Sequence, residues 1–259
     1  MALVTLTTDF GTTDPFVGIM KGVLATRAPG VPVVDVTHGI PPQDVRAGAL
    51  VLRQSAPFFP PGTIHVAVVD PGVGGARRPL CVATARACFV GPDNGLLSLA
   101  AAADGVRCIV EPTDPRCMLS PRSATFHGRD VFAPVAAALA TGTPPESLGP
   151  PVTDMVRLAL PEAAIAGDEL RGEVIYVDHF GNLVTNIRAD QLGGFTGAAV
   201  SVTIRDASVP GVAVSYASTR PGEVVAVVNS WDLLEVAVRD GSARDVLGAG
   251  VGDAVAVRR

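Results

Sequence analysis

The chain predicts an α/β fold, with an N-terminal, doubly wound, mostly parallel α/β domain followed by a smaller C-terminal β-barrel domain. Two patterns lead there. Up to about residue 150, short apolar strand-like runs alternate with segments whose apolar residues recur at helical spacing, which implies strands joined by crossover helices. After that point, short β-rich runs follow one another with Gly, Pro, Asn or Asp turns between most of them, as in a small barrel or sandwich. The expected boundaries are 1–150 for the first domain, 151–170 for a linker, and 171–259 for the second domain. Pro144-Pro145 and Gly149-Pro150-Pro151 punctuate the approach to the linker.

Each element follows from its local pattern. Leu3 to Thr7 reads as a buried strand ending in a Thr-Thr-Asp-Phe-Gly loop. Phe16, Ile19, Met20, Val23 and Leu24 fall on one helical face. Val33 to Val36 is a short strand, and a helix over Val45 to Ser55 is opened by Pro41-Pro42 and capped near Asp44. Ile64 to Val69 is a strand ending at Asp70-Pro71-Gly72; Leu80 to Ala83 and Phe89-Val90 are further strands. Alanine-rich helices are expected at Leu96 to Ala103 and Val131 to Ala140. In the second domain the expected strands are Glu173 to Val177, Ala199 to Ile204, Gly211 to Tyr216, Val224 to Val228, Leu234 to Val238 and Ala254 to Val257.

Composition narrows the function classes. Of 259 residues, 48% are hydrophobic and 17% charged, enough apolar material for a full core and too much for disorder. The net charge is -5 and no basic run exceeds an Arg-Arg pair, so a nucleic-acid groove is not expected. Cys81, Cys88, Cys108 and Cys117 form no CxxC pair and read as small buried hydrophobes, not as metal ligands or a disulfide framework. The sequence opens directly on a strand, without the charged and apolar regions of a signal peptide. No apolar run reaches the roughly 18 residues of a membrane span. The expected setting is therefore soluble and cytoplasmic.

Four polar clusters carry candidate chemistry. In open parallel sheets, ligands bind beyond the carboxyl ends of strands. Asp9 to Asp14 and Asp70 to Arg78 lie at such ends; Thr125 to Asp130 precedes a helix, and Asp178 to Asn186 follows a strand of the second domain. The two oxygens of Asp9 suit a pair of vicinal hydroxyls. Asp14 either takes a ligand or caps the following helix. Asp70 and Arg77 are spaced to pair across a Gly-rich loop, either as a brace for the turn or as a held carboxylate. That loop matches neither GxxxxGK[ST] nor GxGxxG. His127 is the histidine whose context suits acid–base work or orientation of a water. His38 and His65, in or beside apolar strands, read as structural. Asn182 has the amide to read a purine edge, or simply sits in an Asn-rich turn.

Taken together and in order, these segments resemble the S-adenosyl-L-methionine (SAM) hydroxide adenosyltransferase family, relatives of the bacterial fluorinase and chlorinase. The resemblance rests on Thr8-Asp9-Phe10-Gly11, Asp70-Pro71-Gly72-Val73-Gly74, Gly91-Pro92-Asp93-Asn94-Gly95-Leu96-Leu97, Phe126-His127-Gly128-Arg129-Asp130, Asp178-His179-Phe180-Gly181-Asn182 and Asn229-Ser230, and it covers nearly the whole chain. It implies an adenosine-forming SAM hydrolase of two domains, a homotrimer with active sites at subunit interfaces, and no cofactor or metal beyond the substrate.

Residue by residue, the resemblance implies that Asp9 binds the ribose diol. Asp70, Arg77 and His127 would surround the attacking water. Asp14, Asp178 and Ser230 would contact the methionine part, with Glu235 near its ammonium. Asn182 would contact adenine, and Phe180 and Tyr216 would lie near the adenosine. The departures from the halogenases carry a physical message. Those enzymes have tyrosine where this chain has Asp70, and the fluorinase has serine at Gly128 and tryptophan at Gln43. A carboxylate at position 70 repels a halide and welcomes water. The rival readings are a metal-dependent hydrolase, a SAM- or adenosine-binding regulator without turnover, and a SAM-dependent halogenase.

Overall fold

Strands covered on both faces are buried along their whole length, and two segments meet that condition from end to end. β1 (Val4–Thr8) and, later in the chain, Ile64–Val68 are fully buried in the computed structural model, which describes residues 2–195 and 200–259. The chain divides into two compact units, Met1–Leu158 and Ala159–Arg259.

In the first unit, β1 leads to α1 (Phe16–Arg27), β2 (Val33–Thr37), α2 (Val45–Ser55) and β3 (Ile64–Val68). There follow β4 (Pro79–Thr84), β5 (Cys88–Pro92), α3 (Ser98–Asp104), β6 (Val106–Val110) and α4 (Ala133–Ala140). The sheet order is β2-β1-β3-β5-β4-β6. β2, β1, β3 and β5 pair in parallel, whereas β4 is antiparallel to both β5 and β6. The sheet is thus mostly parallel, with β4 reversed because only a short turn joins it to β5, too short for a crossover. Val4, Leu6, Ile64, Val66 and Val68 point to the face covered by α1 and α4, packing with Met20, Leu24, Phe132 and Val135. The alternate residues face α2 and α3: His65 stacks on Phe89 with ring centroids 5.1 Å apart. Asp44 caps α2 as expected, its carboxylate accepting the Ala47 amide at 2.9 Å.

Several expectations need correction. Of the apolar face assigned to α1, only Met20 and Leu24 are buried; Phe16 and Ile19 are exposed. The helix expected from Val131 starts earlier and irregularly, as a π-helical turn over Gly128–Phe132 that runs into α4. Two of the four free cysteines, Cys88 and Cys108, are half-buried, not buried. Residues expected to be linker belong partly to the first unit: the Val152 amide donates to Ile109, that of Val156 to Asp93 at 2.8 Å, and that of Leu158 to Ser98 at 3.0 Å.

The second unit contains β7 (Ala164–Ala166), β8 (Glu169–Val177), β9 (Leu183–Arg188), β10 (Ser201–Ile204), β11 (Ala207–Pro210), β12 (Val224–Val228), β13 (Leu233–Val238), α5 (Ala243–Leu247) and β14 (Ala254–Arg258). The strands form an antiparallel, barrel-like sheet ordered β11-β10-β14-β8-β9-β13-β12, with β7 also on β8. β8 turns the corner: Glu169 to Glu173 pair with β14, and Val174 to Val177 pair with β9. Leu170, Val174, Leu183, Ile187, Val202 and Val257 fill the interior. The strand expected over Gly211 to Tyr216 is not one. β11 ends at Pro210, Ala213 makes a lone bridge to Val227, and Tyr216–Ser218 is a short 3-10 turn. β9, hidden from the sequence reading by the adjoining polar turn, is a central strand. Ala199, the expected start of β10, lies outside the described residues.

Candidate active site

The order β2-β1-β3 means that the chain leaves β1 in one direction and later returns to its other side, so the carboxyl ends of β1 and β3 flank a topological switch point. Ligands of open α/β sheets bind in that crevice. Here it is a pocket of about 420 Å³. Asp9, one residue past β1, and Asp70, two past β3, both line it, as does His127 at the mouth of the π-helical turn. Phe10, Phe16 and Phe126 supply an aromatic wall, with ring centroids 5.2 to 6.0 Å apart in tilted or edge-on pairs.

Asp9 is aimed by its surroundings. Its Oδ2 accepts the backbone N–H of Gln43 at 2.8 Å. Gln43 holds a φ of 67°, a left-handed conformation that costs a non-glycine residue free energy and is typically kept at functional sites.

Asp70, Arg77 and His127 form one connected group. Arg77 grips Asp70 with both arms of its guanidinium: Nε donates to Oδ1 at 2.9 Å and Nη2 donates to Oδ2. The two side chains are only 9% and 5% exposed, and Arg77 also lies 5.4 Å over the Phe132 ring. Arg77 Nη2 is 2.7 Å from His127 Nδ1. A guanidinium has no lone pair to offer, so Nδ1 must accept, and a neutral ring then carries its proton on Nε2. Burial, and then the Arg77 charge, push the His127 pKa below its ordinary value, which favours that neutral ring. His127 therefore presents an Nε2–H, whereas Asp70 presents carboxylate oxygens, which can only accept.

Backbone proximity brings this group together. A Cβ on Gly74 would collide with the carbonyl oxygen of Ala124, and its φ is 76°, so only glycine lets the 70–78 loop lie against the segment leading to His127. Gly128 is similarly tight: an added Cβ would stand 3.1 Å from both Met20 Sδ and Phe126 Cε2. The single-turn π-helix that follows is a form frequent at functional sites. Asp130 braces the same segment through Arg129 and the Ser123 amide. Burial alone would raise its pKa, but those two contacts outweigh it and hold the carboxylate ionised.

The second unit places its predicted residues in two local groups. Asp178 closes its own turn: Oδ1 accepts the amides of Phe180 and Asn182, and Oδ2 accepts the Asn182 side chain at 2.9 Å. Phe180 at the tip is 71% exposed. Buried Glu235 accepts from Tyr216 at 2.7 Å and from Asn229 at 2.9 Å. Burial and then Glu235 raise the pKa of the Tyr216 phenol, so it remains a donor. Ser230 is exposed beside this group. Asp14 is exposed, neither lining the pocket nor capping α1, whose N-cap position is Pro15.

The aromatic wall and the Gln43 amide escaped the sequence reading. Phe16 looked like core because helical spacing marks a face without saying what covers it. Nothing in the sequence around Gln43 announces a left-handed backbone. Among the described residues, no group of three or more His, Cys, Asp or Glu side chains is placed to hold a metal ion. Among the described residues, no helix is long and apolar enough to cross a membrane.

Residues 4–149 match the model of the SAM hydroxide adenosyltransferase N-terminal domain, and 172–256 match that of its C-terminal domain. A protein of Thermus thermophilus named (R)-S-adenosyl-L-methionine hydrolase is 47% identical, over 93% of each chain. A fluorinase of an Actinoplanes species is 30% identical, over 73% of each. A crystal structure of a conserved protein from Thermotoga maritima superposes with a TM-score of 0.93 at 34% identity, covering 99% of this chain and all of that one.

Proposed function

The chain belongs to the SAM hydroxide adenosyltransferase family, and from that premise we propose that it hydrolyses SAM to adenosine and L-methionine by in-line attack of water on C5′. One observation carries the mechanism: the Arg77-gripped carboxylate of Asp70 faces the same switch-point pocket as Asp9, with His127 beside it.

The sulfonium makes methionine a neutral leaving group, so no acid is needed on that side. The water oxygen bonds to C5′ as the C5′–S bond breaks and its electron pair returns to sulfur. Water is the weak partner, with a pKa near ~15.7. Asp70 accepts one of its protons and aligns its lone pair, and the Nε2–H of His127 fixes the oxygen from a second direction. Arg77 holds Asp70 in its acceptor geometry and orients the His127 ring. Positioning of this kind contributes roughly 7–11 kcal/mol where attack is near in-line. The same carboxylate disfavours halide, so the hydrolytic reading stands over the halogenase one.

Asp9 takes the ribose hydroxyls through the lone pairs left free by Gln43. Asp14, Asp178, Ser230 and Glu235 serve the methionine part, and Phe180, Asn182 and Tyr216 serve the adenosine. We propose that these second-unit residues act in a homotrimer, completing the pocket of a neighbouring copy; the exposed Phe180 ring is consistent with such a role. The four free cysteines fit a reducing, cytoplasmic setting.

The test is incubation of the protein with SAM in water labelled with heavy oxygen, followed by mass spectrometry. Labelled adenosine with methionine, unchanged by added halide or a strong chelator, is the expected result. Bound SAM without turnover would replace the proposal with a binding protein. Loss of turnover in chelator would move it to metal-dependent hydrolysis.

A further inference from the structure

We infer that His38 is a positioning residue for the substrate, holding the loop that carries Asp9 through a directed chain of contacts from Asp35 to the Phe10 amide; the inference rests on Asp9 being the ribose ligand. Read from its sequence surroundings alone, His38 is a structural histidine. In the fold it grips the Asp9 loop on both sides. Its side chain reaches Thr8, with Nδ1 2.9 Å from Oγ1, and its carbonyl accepts the Gly11 amide at 2.8 Å. Asp9 and Phe10 are suspended between those two attachments.

The hydrogen bonds have a direction. Thr8 Oγ1 accepts the Phe10 amide at 3.2 Å, and among the described residues its own proton has no acceptor except His38 Nδ1. Thr8 is fully buried, so an undonated hydroxyl there would be costly. Thr8 therefore donates to Nδ1, and the ring proton sits on Nε2. That nitrogen lies 3.1 Å from Asp35 Oδ1, in close electrostatic contact though off the hydrogen-bond line. Lys21 holds the other oxygen of Asp35 at 2.6 Å. The chain thus runs from a half-exposed ion pair, through a buried ring and hydroxyl, to the backbone next to Asp9. It touches neither Asp70, Arg77 nor His127, so it bears on substrate binding and not on the chemical step.

Two shape-preserving variants test this, with Asp9→Ala as reference. Thr8→Val and His38→Leu keep the packing and delete the contact. Each is expected to raise KM for SAM about tenfold with kcat within about twofold, the size of one lost buried hydrogen bond. The double variant is expected to be no worse than either single one, because both remove the same link. His38→Asn, whose amide oxygen stands near the place of Nδ1, is expected to recover most of the lost KM. The inference is overturned if Thr8→Val and His38→Leu leave KM unchanged while Asp9→Ala raises it. It is equally overturned if they lower kcat and melting temperature with no change in KM, since that marks mere packing. If Asp9→Ala itself leaves KM unchanged, the ribose role of Asp9 fails first and takes the inference with it.

Discussion

The polar groups of the two units are held in opposite ways. In the first, partners come from far along the chain: Asp9 is met by Gln43, and Asp70 is joined through Arg77 to His127, 50 residues on. In the second, they come mostly from nearby: Asp178 is satisfied by Phe180 and Asn182, and Glu235 by Asn229, with Tyr216 the more distant partner. Long-range partners on a rigid sheet hold charges at fixed places around an open pocket, which is what stabilising a transition state requires. Local partners make self-contained turns whose contacts a ligand must exchange or extend, which suits recognition. The Asp70, Arg77 and His127 group of the first unit should therefore govern rate, and the second unit, like the Asp9 loop, affinity.

Asp70→Asn tests this division most severely. It keeps the shape but weakens the acceptor, and the grip of Arg77 with it. Single-turnover rates should fall by ~10²–10⁴, the usual reach of a general base, with SAM affinity changed only a few-fold. A mutant that turned over normally but bound SAM poorly would invert the comparison.

Acid provides the next largest effect, and it too belongs to the first unit. Buried His65 has its pKa pushed down to about 4 by desolvation, with only partial compensation from Asp104. A folded-state pKa below the ordinary 6.5 means that the unfolded chain binds the proton more readily. Stability is therefore fully present above pH ~6.5 and is lost as pH falls towards ~4, by about 3 kcal/mol in all. Denaturant midpoints measured across that range should slope downward on acidification. His65→Phe, which keeps the stack on Phe89, should flatten that component. An unchanged slope in the variant would place the acid sensitivity elsewhere.

Tyr216→Phe is the mildest probe. It removes one of the two donors to buried Glu235, costing ~1–3 kcal/mol of local satisfaction. KM for SAM should rise several-fold while kcat stays within about twofold, by steady-state assay. A fall in kcat alone would mean that the second unit takes part in the chemistry and that the division of labour is less sharp.

Much of this was legible in the residue order. Apolar runs locate β1 and β3, and Asp44 ahead of the helical pattern of α2 marks its cap. Asp9, Asp70 and His127 stood out because polar residues at strand ends or before helices have no core role to play. Gly211 to Tyr216 misled because alternating apolar residues satisfy a strand pattern with or without a partner strand. β9 was missed because the Asp178 turn ran into it without a break in polarity. Phe16 passed for core because the pocket it lines exists only once the Phe126 segment has arrived.

By itself the sequence determined the class of the fold, its two-part organisation, its family and the charged groups available for chemistry, because periodicity, turn residues and ordered motifs are properties of neighbours along the chain. Only the tertiary structure decided what those groups do to one another. That Arg77 meets both Asp70 and His127, that His127 therefore offers a proton instead of a lone pair, and that His38 leans on the Asp9 loop all depend on which strand lies beside which. Hydrogen-bond direction is set by contacts across 30 to 50 residues, and a one-dimensional pattern contains no term for them.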